Sequence, residues 1–178
     1  MEDLEYLRYP IGHFECPDEV TENNIDAWIS DLEALPGKLR GLVTGLTQEQ
    51  LDTSYRSGGW TVRQVVHHIA DSHHNSYTRF KWALTENEPL IKVYQEKEWS
   101  SLQDAKTAPI ELSLVYLDAL HAKLVFLLKN LTQEELEKVY YHPEGNTRVS
   151  VAQNIGKYAW HGNHHMAHIG NLLKRKGW

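Results

Sequence analysis

Four stretches of the chain place apolar residues with a period near 3.6, the repeat of an amphipathic helix. The first runs from about Glu22 to Leu46 behind Thr21 as N-cap, and Pro36-Gly37 is expected to kink or break it. The second starts at Thr61, where Thr61 and Gln64 form a capping-box pattern ahead of Val62, Val65, Val66 and Ile69. It extends through Tyr77 and Phe80 to about Thr85. The third opens near Pro109, a good first-turn residue, and carries the stripe Ile110, Leu114, Leu117, His121, Leu124, Leu128, Leu131. The fourth opens at Ser150, with Gln153 completing a second capping box, and carries Val151, Ile155, Tyr158, Gly162, Met166, Ile169 and Leu173 until Gly177 stops it.

These stretches fall into two similar halves. Leu46-Thr-Gln-Glu-Gln-Leu51 follows the first helix and Leu131-Thr-Gln-Glu-Glu-Leu136 follows the third. Each leads through a Tyr and a Gly-containing turn to a capped helix, at Trp60-Thr61-Val62 and at Val149-Ser150-Val151. Two helix pairs, each unable to bury its apolar face alone, predict an all-α four-helix bundle with no substantial sheet, one domain over residues 1–178. The segment from Glu86 to Ala108 has no clear period and connects the halves.

Composition excludes several classes. No run of about 18 apolar residues is present, so no membrane span is expected. The stretch from Met1 to Cys16 lacks the basic-then-apolar order of a signal peptide. The single cysteine, Cys16, rules out an internal disulfide framework and all-cysteine zinc sites, and a reducing cytoplasm is the expected location. A formal charge of −6 argues against nucleic-acid binding, which needs a basic surface. Histidine changes the picture: there are 11, clustered around positions 67–74 and 161–168.

On the fourth helix His161 pairs with His165 and His164 with His168, each four apart and so on one face. With Val151 at zero on a wheel of about 100° per residue, the apolar stripe spans about −20° to +80°. His165 and His161 then lie near the edge of that stripe, whereas His168 and His164 turn toward solvent. A site inside a bundle needs inward side chains, which selects His161 and His165. Two imidazoles one turn apart can share a divalent ion at roughly 2.0–2.1 Å, and zinc in catalytic sites takes three protein ligands with one position open. The third ligand comes from the second helix, where His68 and His73 are nearly tied while His67 and His74 look outward. His13, His121 and His142 read as polar surface residues or satisfied core residues, and His121, on the stripe of the third helix, can line the same pocket.

Several motifs make the chain similar to a known family. They are Tyr9-Pro10-Ile11-Gly12, the block from Gly58-Gly59-Trp60 to His67-His68, Asn75-Ser76-Tyr77 with Arg79-Phe80-Lys81, and Trp160-His161 leading to His165 and His168-Ile169. With these the chain resembles the DinB/YfiT-like metalloenzymes, most closely the YfiT branch of putative metal-dependent hydrolases. The resemblance implies a four-helix bundle of unusual connectivity with a three-histidine metal site. Its first ligand maps to His68, the other two to His161 and His165, and the preference for His68 over His73 rests on the resemblance alone. It further implies a homodimer with zinc or nickel, one ion per chain.

Three neutral imidazoles with an open position favour activation of water, hence hydrolysis of a small substrate. The sequence holds no His-Glu-x-x-His motif, so no general base and no catalytic residue is named. Asp71 reads either as an acceptor behind the ligands or as a surface acid, and Arg79 either as a clamp for an anionic group or as a surface ion pair. Ser72, Asn75 and Ser76 stand close enough to orient a substrate. The alternatives are a zinc-dependent thiol S-transferase of the bacillithiol type and a non-catalytic metal-binding stress protein.

Overall fold

A computed structural model describes residues 4–178. Its elements are α1 (Leu4–Arg8), α2 (Glu22–Val43), α3 (Gln48–Leu51), α4 (Val62–Thr85), α5 (Glu96–Trp99), α6 (Gln103–Thr107), α7 (Ile110–Leu128), α8 (Gln133–Glu137), β1 (Val139–His142), β2 (Thr147–Ser150) and α9 (Val151–Lys176). The four long helices α2, α4, α7 and α9 form the expected bundle. No helix among the described residues is long and apolar enough to cross a membrane.

Local chemistry starts the helices where the pattern places them. Thr21, Thr61 and Ser150 each accept a hydrogen bond from the third backbone N–H of their helix, and the side-chain oxygen at that position accepts one from the backbone N–H of the cap residue. The repeated Leu-Thr motifs open the short helices α3 and α8 by the same device, through Thr47 with Gln50 and Thr132 with Glu135. The two halves diverge just before their second long helix. One forms a single bridge between Ser54 and Thr61, the other the antiparallel hairpin β1–β2. This hairpin is the only sheet among the described residues.

Each half fails to pair within itself. The main neighbours of α2 are α9 and α7, and those of α4 are α7 and α9, so helices of the same half lie diagonally across the bundle. Every long helix thus buries its apolar face against the other half. Two apolar clusters stack along the bundle axis. From one end to the other, α2 and α9 run in one direction and α4 and α7 in the opposite one. Because α4 and α7 are parallel neighbours, a return connection is required, and residues 86–109 supply it with α5 and α6.

Between the two clusters lies a polar layer to which all four helices contribute: the Leu32 carbonyl from α2, His73 from α4, His121 from α7, and His161 with His165 from α9. Gly162 permits close approach there, since a β-carbon at that position would lie 2.0 Å from Leu35 Cδ1.

The expected break at Pro36 does not occur, because α2 continues through it. Proline has no N–H to give to the carbonyl four residues back, which is that of Leu32. His121 Nδ1 takes over that bond at 2.6 Å, so the carbonyl is satisfied from a neighbouring helix.

Candidate metal centre

The structure brings His68, His161 and His165 together. One ligand atom from each lies within 4.8 Å of the others, and the Nε2 atoms of His68 and His161 are 3.3 Å apart. Trp60 packs its ring against both His68 and His165, with centroids 4.5 and 6.1 Å away. A cavity of about 400 Å³ opens over the cluster, walled by Tyr9, Arg56, Trp60 and Trp160. His68 and His165 are buried and His161 is half-buried, lying on the cavity wall.

Hydrogen bonds decide the tautomer of His161. The Leu32 carbonyl can only accept, so His121 carries its proton on Nδ1. A neutral His121 then offers Nε2 as acceptor, and His73 donates to it from Nδ1 at 3.0 Å. His73 in turn accepts at Nε2 from His161 Nδ1 at 3.3 Å. His161 Nε2 is left with a lone pair facing His68 and the Ser72 hydroxyl, 3.4 Å away. The chain requires neutral rings, and burial supplies them. It is the main cause lowering His73 and His161 well below the usual histidine value, and it lowers His121 as well. Burial, followed by repulsion from neighbouring histidines, also lowers His68, to about 3, and His165.

His73, nearly tied with His68 on sequence geometry, is the middle link of this chain. His121, buried on the α7 stripe, is its anchor.

Two histidines expected in solvent are buried instead. The helix wheel turns His164 and His168 outward, yet they are only 6% and 3% exposed. The N-terminal segment covers that face: the Arg8 carbonyl accepts from His168 Nε2 at 3.1 Å, and the Tyr9 ring lies 6.0 Å from His164. As a result His164, His165 and His168 form a second cluster within 4.8 Å, and each has a buried Nδ1 with no hydrogen-bond partner. His67, also expected outside, is buried against Ser113 Oγ at 2.7 Å, whereas His74 is exposed.

The other candidates separate clearly. Ser72 reaches the site, but Asn75 donates to the Asp71 carbonyl and Ser76 accepts from Asn154. The Asp71 carboxyl is half-buried and lifted to about 6 by burial and then by Asp104. Among the described residues it makes no hydrogen bond to the histidine cluster, so it does not act as an acceptor behind those rings.

Residues 31–169 match the DinB superfamily. A putative metal-dependent hydrolase of Bacillus cereus strain B4264 is 56% identical over 173 residues, which is 97% of this chain and 98% of that protein. The chain belongs to the DinB superfamily. Within it, a putative metal-dependent hydrolase of Oceanobacillus iheyensis is 53% identical over 171 residues, 96% of this chain and 98% of that protein. The solved structure of YfiT from Bacillus subtilis superposes with a TM-score of 0.95 at 47% identity, covering 97% of this chain and 99% of that one. YfiT is described as a probable metal-dependent hydrolase with an unusual four-helix bundle topology. In this DinB superfamily chain the two helices of each half lie diagonally across the bundle and α4 and α7 run parallel.

Proposed function

We propose that this chain is a metal-dependent hydrolase of a small substrate, with His68, His161 and His165 holding one divalent ion, zinc first and nickel second. The observation that carries the reading is the convergence of neutral imidazoles, drawn from two helices, on the wall of an open cavity. The donor set fits the group: His161 Nε2 carries a lone pair, no carboxylate joins the cluster among the described residues, and His165 Nδ1 is buried without a partner. The cluster of His164, His165 and His168 fits less well, because all three come from one helix and His168 Nε2 is committed to Arg8. When bound, a divalent ion held by three neutral ligands supplies activation of water near neutral pH. The chain itself supplies the rest. The His73–His121 pair holds the proton on His161 Nδ1, Ser72 presents a hydroxyl, and Trp60 excludes solvent from one side. The proposal extends to a homodimer, supported by the apolar stripe Leu112, Val115, Tyr116 and Phe126 exposed along α7, and to a reducing cytoplasm, in keeping with the single cysteine.

The test is turnover of a panel of esters and amides by zinc-loaded protein, with and without a bacillithiol mimic. Zinc-dependent hydrolysis without thiol is expected. Turnover only with the thiol, yielding an S-conjugate, would transfer the reaction to the S-transferase class. No zinc-dependent turnover of any kind would leave a metal-binding protein.

The histidine chain makes a separate prediction. Removing a partner that fixes a ligand's tautomer typically lowers metal affinity about 10–100-fold. His121→Phe is expected to weaken binding by that amount although all three proposed ligands remain. Competition with a chelator of known affinity measures it.

A further inference from the structure

His161 and Trp160 stand between two cavities. The second, of about 460 Å³, lies away from the N-terminal segment and is lined by Arg79, His142, Lys157 and Tyr158. Arg79 is only 5% exposed. Its Nη1 donates to the Tyr158 hydroxyl at 3.2 Å, and its Nε is buried with no partner. Glu96, Glu98 and Glu144 edge the same cavity, but among the described residues no carboxylate pairs with Arg79.

A guanidinium cannot shed its proton, so burying it without a counter-ion is costly and calls for a compensating anion. The neighbours register that charge. Lys157 is shifted below the usual lysine value, first by burial and then by Arg79, with Glu144 opposing. His142 is lowered by burial and then by Arg79 and Lys157. The surface ion pair that the sequence allowed for Arg79 is absent among the described residues, and an open volume takes the place of a counter-ion.

We propose that Arg79, assisted by Lys157, binds an anionic group of the substrate, a carboxylate or a phosphate, and so delivers the adjoining bond to His68, His161 and His165. A fork of guanidinium donors suits either oxyanion. The inference deepens the hydrolase reading and depends on it for where the reacting bond lies, though not for the binding of the anion.

The experiment titrates full-length protein, zinc-loaded and metal-free, with acetate and with inorganic phosphate. Binding is read from the Arg79 Nε–H resonance and from tryptophan fluorescence. At least one anion is expected to saturate both forms. R79Q is expected to weaken it at least about tenfold, the worth of one lost charge-assisted contact, and K157Q to weaken it by less. Circular dichroism checks folding. If R79Q does not fold, R79K, which keeps the charge but loses the fork, and K157Q decide the matter. The tighter anion identifies the group as carboxylate or phosphate. Neither anion moving the Arg79 resonance in folded wild-type protein, or unchanged affinity in the folded variants, would overturn the proposal. Anion binding by a protein that takes up no metal would sink the hydrolase reading and leave this site standing.

Discussion

Replacing His161 or His165 by alanine is expected to leave purified protein essentially without metal. Apparent zinc affinities of about 10–16 kcal/mol from four ligands correspond to roughly 3 kcal/mol per ligand, or about a hundredfold in Kd. His161→Ala also breaks the hydrogen bond to His73, adding to the loss. His68→Ala should act similarly, whereas His164→Ala should retain close to one ion per chain. The contrast is decisive because His165 belongs to both clusters but His161 and His164 to one each. Elemental analysis of the four variants reads it directly. Metal lost from His164→Ala and kept in His161→Ala would move the centre to the cluster on α9 alone.

Acid is expected to unfold the metal-free protein well before it titrates ordinary carboxylates. Five core histidines, His68, His73, His121, His161 and His165, have values lowered by burial. The unfolded chain takes up protons near 6.5 while these buried rings do not. Their contribution is therefore intact above about pH 6.5 and is lost as pH falls below it. Each ring withholding a full proton removes about 1.4 kcal/mol per pH unit. Together they erode an ordinary folding free energy of about 5–15 kcal/mol as the pH falls below about 6.5. Helical circular dichroism of metal-free protein should collapse between about pH 6 and 4.5, and zinc should move the midpoint lower by binding only the folded state. Full helicity persisting to pH 3 without metal would contradict neutral burial of these rings.

The sequence by itself determined the helices, their caps and the pairing of His161 with His165, because these depend on interactions within three or four residues. Thr21, Thr61 and Ser150 cap as their spacing requires, and the repeated Leu-Thr motifs open matching short helices. Only the tertiary structure decided how the halves interlock, since diagonal packing leaves no trace in the period of any one helix. It decided that Pro36 does not break α2, because the compensating donor, His121, is 85 residues further along the chain. It also decided that His164 and His168 are buried: a helix wheel assumes one solvent face, and here a segment outside the bundle covers it. His68 and His73 differ little on the wheel. What separates them is that both ring nitrogens of His73 are taken up by His121 and His161, whereas His68 lines the cavity, and that depends on neighbouring helices.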